Sequence, residues 1–162
     1  MADIPLVEQL YAIEEIKKLK ARRDRAVDLK DWDTYTALHA PDHESHNDGY
    51  APWTREDMVN HLRTDLAHVD IIHLSHTPDI TIISADTASG TWYLEDQHFW
   101  KQGEEDHWLH GFGWYHERYA RRDGAWVFTR RRIERVRVMA SPGAVHPAKT
   151  AALKSGEFRG PL

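Results

Sequence analysis

The 162-residue sequence contains no cysteine. That excludes disulfide bridges, thiolate metal sites and a cysteine nucleophile. No apolar run approaches the roughly 18 residues that a membrane-spanning helix needs. The opening stretch, Met-Ala-Asp-Ile-Pro, lacks the basic flank and apolar core of a secretory signal. The expectation is a cytoplasmic protein with no membrane partner. Positive charge is in deficit: 21 Lys and Arg stand against 26 Asp and Glu, a formal net charge of −5. A protein that works by gripping nucleic-acid phosphates carries the opposite balance, so a nucleic-acid partner is not expected. There is no glycine-rich phosphate loop, since Gly111-Phe112-Gly113 precedes no helical pattern, and there is no nucleophile elbow. What the chain does have is 12 His and 7 Trp. Such side chains suit an aromatic, polar pocket, and equally serve in packing and on surfaces.

The first 70 residues carry helical spacing. Leu6, Leu10, Ile13, Ile16 and Leu19 recur at intervals of three and four, which places them on one face of a helix running to about Leu29. Asp31-Trp32-Asp33 predicts a turn into a short helix from Thr34 to His39, ended by Pro41. Residues 42–53 are rich in turn formers, with one short strand around Glu44–His46. Thr54 followed by Asp57 resembles a capping box and predicts a third helix to about Ala67. From His73 onward, β-branched and aromatic residues dominate. Turn signals at Ser84–Gly90, Gln102–Asp106 and Arg122-Asp123-Gly124 divide this region into four long strands. Three helices followed by hairpin-linked strands predict an α+β fold, with the helices on one face of a curved antiparallel sheet. Residues 1–140 form the expected single domain. The Pro-, Gly- and Ala-rich residues 141–162 form a tail that lies over a pocket, meets another subunit or is disordered.

Three groups of residues are candidates for chemistry. Asp28 lies near the end of the long helix and His73 opens the strand region, among Ile71, Ile72 and Leu74. A carboxylate bonded to one imidazole nitrogen fixes the tautomer and leaves the other nitrogen as a general base or acid. Spacing alone does not bring these two residues together, and a histidine with apolar neighbours also fits a core position. Arg130, Arg131, Arg132, Arg135 and Arg137 form the second group. Strict strand alternation puts Arg131, Arg135 and Arg137 on the face of Ile133, and Arg130 and Arg132 on the face of Trp126 and Phe128. An inward arginine would bind a carboxylate, phenolate or carbonyl oxygen of a substrate. The alternative is a solvated strand face paired with acidic neighbours. The third group is His39, His43 and His46 with Glu44. Their spacing matches no zinc motif and straddles Pro41, so no metal site is expected. On a later strand, His107 points away from His110 and His116, so those three do not form a ligand set.

Two segments carry a resemblance. One runs from His73-Leu-Ser-His-Thr-Pro-Asp-Ile-Thr-Ile to Asp86-Thr-Ala-Ser-Gly-Thr-Trp-Tyr-Leu-Glu-Asp96; the other is Tyr119-Ala-Arg-Arg-Asp-Gly-Ala-Trp126. With Ala12–Lys20 leading to Val27-Asp28 and Trp32, they resemble the SnoaL-like branch of the nuclear transport factor 2-like superfamily over about residues 8 to 138. The bile-acid 7α-dehydratases are the nearest likeness, with scytalone dehydratases and lindane dehydrochlorinases more distant. The resemblance implies a cone-shaped sheet wrapped around three helices with a deep pocket, a homotrimer, and no metal or organic cofactor. It implies a catalytic Asp at Asp28 and a catalytic His at His73. Arg135 aligns with an arginine that helps activate substrate in the bile-acid enzymes, and Arg131 with an arginine position in the lindane enzymes. Two positions depart from the pattern: Arg23 stands where the bile-acid enzymes have a catalytic Tyr, and Asn47 where they have a pocket Tyr. An arginine stays protonated and cannot act as a phenolic acid, but it can hold an anionic or phenolic group.

The expected activity is a cofactor-independent lyase. His73, oriented by Asp28, removes a proton and water leaves from the neighbouring carbon of a small hydrophobic, aromatic or polycyclic hydroxylated substrate. Asp28, His73 and Arg135 are the expected catalytic residues, and Arg23, Asn47, Arg131 and Trp92 the expected substrate-binding ones. The alternatives are a carbon–carbon lyase releasing formaldehyde from lignin-derived diaryl compounds, an isomerase or cyclase using the same dyad, and a non-catalytic ligand-binding module.

Overall fold

The computed structural model describes residues 4–47 and 51–148. Helices α1 (Leu6–Asp28) and α2 (Trp32–Ala37) are followed by two short strands, β1 (His39–His46) and β2 (Trp53–Thr54), and then by helix α3 (Arg55–Asp65). Four long strands follow: β3 (Asp70–Ser84), β4 (Thr87–Gln102), β5 (Glu105–Arg122) and β6 (Ala125–Ala140). All six form one sheet in the order β2-β1-β6-β5-β4-β3. Each neighbouring pair is antiparallel except β1 with β6. This is the expected α+β architecture, a curved sheet with its helices on the concave side.

Local sequence explains the helix starts. Asp31 accepts from the Thr34 N–H at 3.1 Å and opens α2, while Thr54 Oγ1 accepts from the Asp57 N–H at 3.2 Å and opens α3. Asp57 Oδ2 in turn accepts a hydrogen bond from the Thr54 hydroxyl at 2.8 Å, in place of the Thr54 backbone N–H that a full capping box engages. The Asp123-Gly124 turn has positive φ at both residues, +49° and +81°, as a tight hairpin of this kind demands.

Three expectations are corrected. Residues 39–46 form one strand, β1, longer than the short strand expected around Glu44–His46, and the short helix stops at Ala37 instead of reaching His39. The strand is held by parallel pairing to β6, with a register irregularity between His39 and Glu44 that accommodates Pro41. On α1, Leu6 and Leu10 are exposed, and the buried stripe runs instead through Ala12, Ile16, Leu19, Lys20, Arg23, Asp24 and Val27. On β6, strict alternation fails twice. Thr129 is an extra residue between Phe128, paired with Tyr119, and Arg130, paired with Arg118; Val136 is another, between Arg135 and Arg137. These two bulges put Trp126, Phe128, Arg131, Ile133 and Arg135 on the concave face. Arg137 is turned outward opposite Phe112.

The core has two parts. Ala12, Ile16 and Leu19 of α1 pack on Trp92, Leu94, Tyr115, Tyr119, Trp126 and Phe128. Ala26 and Val27 pack with Tyr35, Met58, Val59, Leu66, Val69, Ile71 and Trp100. Ile16, Tyr35 and Met58 are fully buried. Each such side chain contributes about 1.5–3 kcal/mol of hydrophobic stabilisation before ordering costs. The helix α1 is thus fixed along the concave face, and its last two turns, Lys20 to Asp28, lie over the strands that carry the candidate site.

Candidate active site

Asp28 and His73, 45 residues apart in sequence, meet where the end of α1 crosses the start of β3. The Asp28 carboxylate accepts twice from the same residue: from the His73 backbone N–H at 3.0 Å and from ring Nδ1 at 2.6 Å. The second bond places the ring proton on Nδ1 and leaves the Nε2 lone pair free, with no hydrogen bond among the described residues. The His73 side chain is 7% exposed and that of Asp28 is 23% exposed. Burial pulls the His73 pKa below the ordinary histidine value, against the Asp28 bond that pushes it up. At neutral pH His73 is therefore an uncharged base with a fixed tautomer.

Charged residues surround this pair. Asp24, one helical turn before Asp28, accepts from Arg23 Nη1 at 2.9 Å and from Ser75 Oγ at 2.6 Å. Burial alone would raise the Asp24 pKa, but Lys20 and Arg23 outweigh it and hold the carboxyl well below the usual range. Across the strand from His73 stands Asp96, its Cα partner in the β3–β4 register. Asp96 receives both Nη atoms of Arg135, at 2.7 and 2.5 Å, a bidentate pair. Here too burial works to raise the pKa, and His98 and Arg135 override it to keep Asp96 ionised. The Arg135–Asp96 pair passes over Gly111 of the intervening strand, where a Cβ would overlap both Arg135 Nη1 and Asp96 Oδ1. Deeper in, Lys20 Nζ bonds Glu117 at 2.5 Å and sits 3.7 Å from the Tyr115 ring centroid. Arg23 Nη2 donates to Tyr35 Oη at 3.3 Å, and Arg131 Nη2 donates to Ser45 Oγ at 3.1 Å.

Residues 8–132 match the sequence profile of the SnoaL-like domain. The chain belongs to the SnoaL-like family. Solved structures share the fold at low identity. A protein of Novosphingobium aromaticivorans described as a scytalone dehydratase is 20% identical, with a TM-score of 0.73 over 87% of this chain and 93% of its own. The hexachlorocyclohexane dehydrochlorinase LinA-type3 of Novosphingobium barchaimii is 18% identical, with a TM-score of 0.73 over 85% of this chain and 95% of its own. A second N. aromaticivorans protein, described as an aromatic ring hydroxylase, is 20% identical, with a TM-score of 0.75 over 91% of this chain and all of its own (100%).

Within this SnoaL-like cone the structure brings together most, but not all, of the residues singled out from sequence. Asp28, His73, Arg23, Arg131 and Arg135 all lie on the concave side. Arg135 is already answered by Asp96. Trp92 lies elsewhere: its indole N–H donates to Tyr119 Oη at 2.8 Å inside the core, four residues along β4 from Asp96, or about 13 Å at strand spacing. Asn47 follows the end of β1, with its side-chain oxygen buried and unpaired among the described residues. His39 and His43 are buried and bonded to backbone carbonyls, whereas His46 pairs with Glu44 near the surface. His110 and His116 point outward to Glu95 and Glu134. Of the tail, residues 141–148 fold back on the domain. His146 bonds His98 at 2.8 Å and Ser141 bonds His107 at 2.9 Å. Residues 149–162 lie outside the described residues. Two surface depressions, of about 360 and 570 Å³, include neither Asp28 nor His73.

Sequence reasoning missed Lys20, Asp24, Tyr35, Ser75, Asp96, Tyr115 and Glu117. A signal existed for some of them: Lys20, Asp24 and Asp28 recur every four residues, continuing the stripe of Ile16 in polar form.

Proposed function

We propose that this chain is a cofactor-independent lyase of the dehydratase type. His73 Nε2 takes a proton from a carbon of the substrate. The electron pair of that C–H bond becomes the new double bond, and hydroxide leaves from the neighbouring carbon. Asp28 stabilises the imidazolium that forms, and the proton on Nε2 then passes to the departing hydroxide, releasing water and restoring the neutral base. A positioned base of this kind contributes about 10² to 10⁴ in rate. Arg23 and Arg131 supply positive charge where the substrate oxygen becomes more negative, while Arg135 holds Asp96 beside the base. The substrate is a small hydrophobic hydroxylated compound, aromatic or polycyclic.

The observation that carries this reading is the double hydrogen bond from His73 to Asp28, which leaves a neutral, unpaired Nε2. The family's dehydratase and dehydrochlorinase members support the reaction class. A homotrimer is part of the proposal. The outer sheet face exposes Leu74, Tyr93, Phe99, Trp108 and Met139, an apolar surface suited to subunit contact, and light scattering of the purified protein tests it. The activity test is a mass-spectrometric turnover screen. Chelator-treated protein is incubated with hydroxylated steroids, hydroxylated ketones and diaryl diols, with His73→Ala in parallel. Loss of water that is indifferent to chelator and abolished in the variant is the expected result. A mass-neutral product, or turnover that survives in His73→Ala, would refute the lyase reading.

A further inference from the structure

Near the last turns of α1, the concave side brings together the cationic side chains of Lys20, Arg23, Arg131 and Arg135. Three have a carboxylate partner. Lys20 pairs with Glu117 at 2.5 Å, Arg23 with Asp24 at 2.9 Å and Arg135 with Asp96 at 2.5 Å. Arg131 is 3% exposed and has no carboxylate partner among the described residues. Its Nη2 donates to Ser45 Oγ and reaches Met58 Sδ at 3.8 Å, its Nε is buried and unpaired, and its Nη1 makes no hydrogen bond among the described residues.

Nothing nearby supplies the missing negative charge. His39 and His43 are neutral, because burial drives both pKa values down, that of His43 to about 3. The Tyr35 hydroxyl is bonded to Arg23 and Met58. Asp28, the remaining acid of the site, is engaged by His73 and reaches solvent. Arg131 is nonetheless continuous with the candidate active site. Met58 Sδ is shared by Arg131 and Tyr35, Tyr35 bonds Arg23, Arg23 bonds Asp24, and Asp24 bonds Ser75, two residues along β3 from His73. Arg23 Nε is also buried and unpaired. The two guanidinium carbons stand 5.4 and 5.8 Å from the Tyr115 ring centroid.

A guanidinium taken out of water without a counter-charge is costly to the fold, and swapping such a charge for an apolar side chain of similar size removes that cost. A fold that keeps it gains the partner from a ligand. We infer that the substrate is an organic acid whose carboxylate seats against Arg131, with Arg23 as the second cation. This rests on the lyase reading for which site is occupied, and it adds the substrate's charge class. Arg131, the one of these four with no carboxylate beside it among the described residues, matches a single anionic group of a ligand. Nε and Nη1 of Arg131 lie on different edges of the guanidinium and are both unspent, so either can donate a charge-assisted hydrogen bond to a carboxylate oxygen.

The test is ligand-dependent thermal unfolding of the intact chain. Formate, acetate and benzoate are titrated as sodium salts against formamide, acetamide, benzamide and an equal concentration of sodium chloride. The carboxylates are expected to raise Tm saturably, and the amides and chloride are not. Arg131→Met is expected to unfold at a temperature equal to or above that of the parent without ligand, and to bind the carboxylates at least tenfold more weakly. Arg131→Lys keeps the charge but not the fork, and is expected to retain a weakened preference for carboxylate over amide. If Arg131→Met does not fold, the parent and Arg131→Lys still decide the matter. Equal responses to carboxylate and amide, no response of the parent to any carboxylate, or an undiminished carboxylate response in Arg131→Met or Arg131→Lys would overturn the inference. The readout is binding. Its failure alongside His73-dependent turnover removes the acid substrate and leaves the lyase, whereas absent turnover leaves a positive binding result standing.

Discussion

Acid should destabilise this protein well above the range in which carboxylates protonate, and His43 gives the effect a calculable size. His43 is 1% exposed, and its Nδ1 donates to the Phe128 carbonyl at 3.2 Å. Burial, with Arg131 adding to it, lowers its pKa to about 3. In the unfolded chain the value returns to about 6.5. A histidine whose folded pKa is depressed contributes stability that is complete above the unfolded value. That contribution is lost as pH falls from about 6.5 toward about 3, because the unfolded chain takes up the proton and the native one does not. Between pH 7.5 and 4.5, His43 alone should cost about 3 kcal/mol. The window lies above the ordinary aspartate pKa of about 3.9, so Asp24 and Asp96 contribute little within it. His39 is depressed in the same sense, chiefly by burial, which parent and variant share. The perturbation is His43→Asn, whose side-chain amide places a donor near the position of Nδ1 but does not titrate. Urea unfolding at the two pH values should show the parent losing about 3 kcal/mol more than the variant. Equal losses, or a greater loss in the variant, would mean that His43 is not held neutral by its surroundings.

The remaining predictions concern the site. Asp28→Asn offers one acceptor where the carboxylate offers two, so it should destabilise by about 1–3 kcal/mol. It should also move the His73 titration, followed by imidazole NMR, further down, because the Asp28 bond pushes that pKa up; an upward move would refute the assigned tautomer. Gly111→Ala should drive Arg135 and Asp96 apart and cost about 1–3 kcal/mol in urea unfolding; an unchanged midpoint would mean that the pair does not need the open strand position. Lys20→Met leaves Glu117 buried without its cation and should cost about 3–5 kcal/mol, partly recovered in the double variant with Glu117→Gln; additive losses would contradict the pairing.

Legibility in the sequence followed the range of the interactions. The Asp123-Gly124 turn and the cap at Thr54 are set by residues within three positions of each other and were visible in advance, whereas Asp31 was legible as a turn and not as the cap it forms. Of strand β1 only the Glu44–His46 end was visible, because its pairing with β6 joins residues more than 80 positions apart and Pro41 hides the rest from any local rule. The β6 arginines show how one inserted residue misleads. The Thr129 bulge reverses the face of everything after it, which brings Arg131 to the side of Phe128, and the Val136 bulge turns Arg137 away. The Asp28–His73 contact has no local signature at all, so only the resemblance to a family anticipated it. The buried face of α1 was misjudged for a different reason. Periodicity was sought among apolar residues, yet from Lys20 onward the helix keeps its period and changes its chemistry, burying Lys20, Arg23 and Asp24 where leucines would serve stability better. Departure of a regular apolar pattern into charged residues at the same spacing is itself a signal. A stripe that stays in phase while giving up hydrophobic burial marks the part of the helix that faces chemistry rather than core.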